Sequence, residues 1–307
     1  MTKNKGKHKT RRDALTILAV SFLMASIAMV LAIGLIGYRN KKYLNEKPES
    51  VSAKPASDTK NTAFGTSAES GIADSTKPDK ILVFVIDDAG HNEWQLKPFL
   101  SFPGPLSIAV LPGLPFSVKA AEMVKSAGKE LLLHQPMEAL GTLDPGPGAI
   151  WLNMDDDAIR KTIRGNLKEI NGAVGINNHM GSKASADTRI MTTVLDEVEK
   201  QGLYFLDSYT TSDSVAHSVA SLMRQSIWER SVFLDNSPDK ASIQHYIIEG
   251  SKIAEKRGYA IMIGHVWSSE LVQTLSELYP SLIEHGFSLS TISKIMMDSY
   301  DDDSFGD

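Results

Sequence analysis

The sequence predicts an α/β fold, a closed or nearly closed (β/α) barrel preceded by a transmembrane helix and a disordered linker. Three observations lead there. From Ile81 onward, strand-like and helix-like runs alternate to the end of the chain. The strand-like runs are apolar and rich in β-branched residues, as suits strands covered on both faces of a parallel sheet. Ahead of them the chain divides into a basic start, a charge-free apolar stretch and a polar, low-complexity stretch.

The elements follow in order. Residues 1–13 carry Lys3, Lys5, Lys7, Lys9, Arg11 and Arg12. Residues 14–38 read ALTILAVSFLMASIAMVLAIGLIGY, without a charge. At about 1.5 Å per residue, roughly 25 residues cross a hydrocarbon core of about 30 Å. The apolar run is longer than that of a cleaved signal peptide and has no clean small-x-small site before Tyr38, so an uncleaved anchor is expected. More basic charge precedes the span than follows it at Arg39, Lys41 and Lys42. That places the start in the cytoplasm and the bulk of the chain outside it, in the periplasm of an inner or plasma membrane. Residues 39–79 are dominated by Lys, Ser, Ala, Thr, Glu and Pro and cannot bury enough surface to offset the entropy of ordering, hence a linker. At 307 residues and 42% apolar content, the chain has material for one large core. Its net charge of −5 gives no sign of a nucleic-acid partner. The absence of cysteine excludes disulfides and thiolate chemistry.

The domain is expected over 80–296, with an acidic, solvated tail over 297–307. Strands are read at Ile81–Asp88, Leu106–Pro112, Glu130–His134, Ala173–Asn177, Leu203–Asp207, Ser231–Asp235, Tyr259–His265 and Phe287–Ser290. Helical stripes lie between them. Ile159, Ile163, Leu167 and Ile170 follow the carboxylates Asp155–Asp157, which favour a helix start. Ile190, Val194 and Val198 form a second stripe, and Leu271, Leu275, Leu278 and Leu282 a third. Gly128, Gly172, Gly202, Gly258 and Gly286 supply helix ends before the next strand. About seven or eight β–α units in roughly 215 residues favour a barrel, with a doubly wound open sheet as the alternative.

Polar residues gather where the strands end. The first strand ends in Asp87-Asp88 and the third in His134; GINNHMGS brings Asn177, Asn178 and His179 to the end of the fourth. Asp207-Ser208, Asp235-Asn236 and His265 close later strands. In a parallel barrel these ends share the face on which active sites form. Asp207 and Asp235 could equally cap helices, but histidines are poor N-caps. Successive strand residues point to opposite faces, so Asp87 and Asp88 divide their tasks unless the turn at Ala89-Gly90 brings both to the mouth. One would bind a metal and the other accept a proton. His134, Glu138 and His179 offer further ligands for zinc or a similar ion. His265 could act as general acid. Trp267 is read as packing, or as a platform for a sugar ring. No GxSxG, P-loop, HExxH or dinucleotide glycine fingerprint is present.

Taken together and in order, IDDAG, LPGLPFS, LLHQPME, GINNHMGS, FLDS, FLDN and IGH resemble the divergent polysaccharide deacetylase family, over about Ile81 to Ile295. The resemblance implies a deformed (β/α) barrel of the glycoside hydrolase/deacetylase type. It implies Asp87 as base, Asp88 and His134 as metal ligands and His265 as acid. The family's second histidine of an i, i+4 pair is replaced by Glu138, so the third ligand lies between Glu138 and His179. The arginine–proline motif of the fourth strand is absent. The expected function is metal-dependent hydrolysis of an envelope polysaccharide, most simply N-deacetylation of an amino sugar. A divalent metal, zinc first, would be the cofactor. Asn177, Asn178, Asp207 and Asp235 would contact the carbohydrate polymer. Two other readings compete: a non-catalytic barrel that binds glycan or an envelope protein, and a glycosidase using a carboxylate pair among Asp88, Glu138, Asp207 and Asp235.

Overall fold

The computed structural model describes residues 80–303. The expected membrane anchor and linker lie outside them. Among the described residues no helix is long and apolar enough to cross a membrane. The elements in chain order are β1 (Ile81–Ala89), α1 (Glu93–Leu100), β2 (Ser107–Val110), α2 (Ser117–Ser126), β3 (Glu130–Met137), α3 (Asp156–Glu169), β4 (Gly175–Met180), α4 (Thr188–Lys200) and β5 (Tyr204–Asp207). They continue as α5 (Ala216–Met223), β6 (Trp228–Glu229), β7 (Val232–Phe233), α6 (Lys240–Arg257), β8 (Tyr259–His265), α7 (Ser269–Glu284), β9 (Ser288–Ser290) and α8 (Ile292–Asp303).

Every strand pairing is parallel, in the order β6-β5-β4-β3-β2-β1-β8-β7, with β9 beside the start of β1. The two-residue strands β6 and β7 are halves of one extended segment. Its first half pairs with β5, and the Arg230 N–H continues to the Asp207 carbonyl; from Ser231 it pairs with β8. The sheet therefore curls until both ends meet on a single stretch of chain. Strand order runs in sequence without the central reversal of a doubly wound sheet, which removes that alternative. All eight expected strand regions are present; β6 was not expected, because two residues show no periodicity.

Alternation along each strand divides the core in two. Leu82, Phe84 and Ile86 of β1, Leu131 and Leu133 of β3, and Ala260 and Met262 of β8 pack outward against the helices. Val83, Val85, Ala109, Leu132, Tyr204, Leu206, Ile261 and Ile263 fill the inside of the curl. Ile292 of α8 joins this inner cluster, with Ile295 and Met296 packed against it. Thus α8 floors the barrel, and the expected acidic tail begins within this helix rather than after it. Glu130 ties the floor together: its carboxylate accepts from the Ser107 and Tyr204 hydroxyls at 2.8 and 2.7 Å and from Ser293.

Four helices, α1, α3, α4 and α6, are capped at their starts by Asn92, Asp155, Asp187 and Asp239, whose side chains accept from backbone N–H groups at 2.8–3.0 Å. Asp207 and Asp235 cap no helix.

Candidate active site

The inward rows of the strands change character at the mouth. On β1 the row Val83, Val85 continues to Asp87; on β8, Ile261 and Ile263 continue to His265. On β3, Leu132 continues to His134, and on β4 the row reaches Asn177. Register sets these groups side by side, Asp87 opposite His265 and His134 opposite Asn177. Asp88 belongs to the outward row by parity, yet it too reaches the mouth. Its φ is +65°, and the β1–β2 register slips between Ile86 and Ala89. This bulge turns the second carboxylate toward the first. Met180, the last residue of β4, and Tyr209, just past β5, also have positive φ, 54° and 50°. Backbone strain of this kind clusters at functional sites.

Three ligand-type atoms converge. Asp88 Oδ1 lies 3.2 Å from His134 Nε2 and 3.0 Å from His179 Nδ1, and the two nitrogens are 3.2 Å apart. Asp88 Oδ1 is buried and makes no hydrogen bond. A buried orphan oxygen facing two imidazole nitrogens is satisfied by a cation, and the set of one carboxylate and two imidazoles suits zinc and its neighbours. The donors fit a divalent metal. Side-chain exposure is 2% for His134, 16% for Asp88 and 19% for His179, so the cluster is enclosed on the His134 side and open to solvent on the other.

Asn177 arranges this group. Its amide nitrogen donates to Asp87 Oδ1 at 2.9 Å, which leaves its carbonyl to accept from His134 Nδ1 at 2.8 Å. His134 thus has Nδ1 engaged by Asn177 and Nε2 facing Asp88 and His179, an orientation used by metal-binding histidines. Burial opposes charge on His134, but Asp87 and Asp88 outweigh it and raise its pKa above the ordinary imidazole value. Burial likewise works against the Asp88 carboxylate, yet His134 and His179 hold its pKa well below the usual range. For Asp87 burial prevails, and its pKa is raised.

His265 has a separate support. Its Nδ1 lies 2.9 Å from Asp235 Oδ1, and its backbone N–H donates to Asp235 Oδ2 at 2.8 Å. Burial disfavours the charged ring, but Asp235 overcomes this and pushes the pKa up to about 9. The ring stacks against both Phe233 and Trp267, with centroids 5.9 and 5.0 Å away. Trp267 Nε1 donates to Asp88 Oδ2 at 3.2 Å.

The other expected residues are placed differently. Glu138 does not join the cluster. The loop after β3 folds back so that Glu138 N–H and Ile150 N–H bond across it, and the Glu138 carboxylate accepts from Leu152 N–H at 2.7 Å and pairs with Lys183. Of the two alternatives for a third ligand, His179 is the one beside Asp88 and His134. Asn178 faces away from the mouth as the outward neighbour of Asn177; it bonds the Met180 carbonyl and the Ser208 N–H and so braces two loops. Asp207 accepts from Tyr209 N–H and the Ser214 hydroxyl within its own loop. Asp235 serves His265 rather than open space. The bonds of Trp267 to Asp88 and of Asn177 to Asp87 and His134 were not legible in sequence, because each joins residues far apart along the chain.

Comparison with known proteins agrees with this architecture. The chain is 32% identical over 184 residues to an uncharacterized protein of Haemophilus influenzae, an alignment covering 60% of this chain and 66% of that one. It is 36% identical over 187 residues to the uncharacterized protein YibQ of Escherichia coli, covering 60% and 58%. The chain thus spans 66% and 58% of these relatives' lengths. An uncharacterized protein of Agrobacterium tumefaciens has a similar fold, with a TM-score of 0.66 at 18% identity over 72% of this chain and 91% of that one. The model of the divergent polysaccharide deacetylases matches residues 84–296, from β1 into α8. The chain belongs to the divergent polysaccharide deacetylase family.

Proposed function

We propose that this protein is a metal-dependent hydrolase that removes N-acetyl groups from an amino-sugar polymer of the cell envelope. The observation that carries the reading is the convergence of Asp88 Oδ1, His134 Nε2 and His179 Nδ1, with the carboxylate oxygen unsatisfied. A divalent cation held there, zinc first, supplies Lewis acidity toward the acetyl carbonyl and lowers the pKa of water. The remaining steps belong to the protein's own groups. Asp87, buried and raised in pKa, takes a proton from the attacking water as its oxygen bonds to the acetyl carbon. His265 presents Nε2 while Asp235 holds Nδ1, and it gives its proton to the departing nitrogen as the C–N bond breaks. Acetate and a free amine result. The charge-free span at 14–38 would tether the domain outside the cytoplasm, within reach of envelope glycan.

A carboxylate-pair glycosidase finds less support, since Glu138 and Asp207 are engaged by Lys183 and by Ser214. In assays of acetate release from acetylated amino-sugar polymers, Asp87→Ala and His265→Ala are expected to lose about 10²–10⁴-fold in rate with metal content unchanged. Asp88→Ala and His134→Ala are expected to lose the metal as well. Release of no acetate from any such polymer, with or without added zinc, rejects the proposal. Retained glycan binding with no bound metal would then favour the non-catalytic barrel.

A further inference from the structure

Asp88 has two oxygens, and the structure treats them differently. Oδ1 faces His134 and His179. Oδ2 accepts from the indole N–H of Trp267 at 3.2 Å. The same indole lies 18° from parallel with the His265 ring, at 5.0 Å between centroids. The His265 ring also stacks on Phe233, and the Arg230 guanidinium carbon sits 3.8 Å from the Phe233 centroid. Arg230 is itself held, donating to the Ser208 and Tyr209 carbonyls at 2.7 and 2.9 Å. Four planar groups from β7, β8 and their flanking residues thus touch in series as far as the β1 carboxylate. Trp267 itself is 49% exposed at the mouth.

We propose that Trp267 is a positioning residue that makes Asp88 a one-oxygen ligand. This rests on the reading that Asp88, His134 and His179 hold a divalent cation. An aspartate can offer a cation one oxygen or both, and a carboxylate free to swing between the two is a less well-ordered ligand. The indole N–H occupies Oδ2 and stops rotation about the carboxylate, so Oδ1 alone remains aimed at the two imidazoles. Hydrogen bonds of this kind to ligating carboxylates contribute about 10–100-fold in metal affinity. The arrangement favours small, borderline ions that accept few ligands over calcium, which takes more oxygens. Because the indole also packs on His265, the ligand and the proton donor share one support.

The test uses the full chain in detergent, titrated with zinc against a chromophoric chelator. Trp267→Phe keeps an aromatic ring for the stack and removes only the N–H. It is expected to bind zinc about tenfold more weakly than the parent. Cobalt(II) loaded in place of zinc supplies a readout that packing alone does not move. Freeing Oδ2 lets it join the ion, so the visible bands of the Trp267→Phe protein weaken as ligand number rises. Unchanged zinc affinity with an unchanged cobalt spectrum overturns the proposal. A parent protein that binds zinc no better than His134→Ala overturns instead the metal reading on which it stands. Trp267→Ala removes both stack and donor; a loss of affinity confined to it, with Trp267→Phe intact, assigns the effect to packing and also rejects the proposal.

Discussion

Asp235 makes two bonds to His265, one to the ring and one to its backbone N–H, and so fixes both the charge and the aim of the imidazole. A proton donor must be protonated to act, so activity is expected to fall as pH rises through about 9. Asp235→Asn keeps the shape and removes the charge; it should move this basic limb downward, toward the ordinary histidine value, in a pH profile of kcat/KM. An unmoved limb would mean that His265 is not the acid. The same pair bears on stability. The folded pKa lies above the unfolded one, so its contribution is complete below about 6.5 and is lost as pH climbs through about 9. Thermal unfolding followed across that window should show the loss in the parent and little of it in Asp235→Asn.

At the scale of elements, α3 and α4 are joined across the outside of the barrel by Arg164, which binds both carboxylate oxygens of Glu197 at 2.7 and 2.8 Å. Glu197 has no exposed surface, whereas Arg164 is more than half exposed. Arg164 is the main cause of the lowered Glu197 pKa; burial opposes it, and Gln201 and Arg160 add to it. The folded pKa is depressed, so this contribution is present above the usual glutamate value and lost as pH falls below it. Arg164→Ala should lower stability in urea unfolding at neutral pH, through loss of a charged pair with one solvated partner, and lower it less in acid. Equal costs at both pH values would show that the guanidinium stem, not its charge, does the stabilising. Within the sheet the β1 bulge acts on the site: one irregular residue, Asp88, converts an outward position into a mouth position.

The molecule separates its stability from its chemistry along the barrel axis. Aliphatic residues and α8 fill the lower half, and the polar groups occupy the mouth. Ile292 is fully buried in the floor cluster. Ile292→Ala should therefore cost about 2–5 kcal/mol, measured by denaturant unfolding, through lost burial and the cavity left behind. Zinc affinity at the mouth should stay within about twofold, since distant sites with no shared partners behave additively. A matching loss of zinc affinity would show that the floor and mouth are mechanically coupled.

The parallel α/β architecture and the residues at the strand ends can be read directly from the amino-acid sequence. Both follow from local rules: apolar runs of strand length, helical periodicity, and polar groups that begin where burial stops. Asp87, Asp88, His134, His179 and His265 were legible for that reason. Tertiary structure alone chose His179 over Glu138, because that choice depends on how the loop after β3 folds back and on where Lys183 lies. It alone made Asp235 a partner of His265, joined the sheet's ends on Trp228–Phe233, set Ile292 of α8 into the floor and brought Trp267 to Asp88. Each of these is a contact between distant segments, and no local period encodes the distance between them.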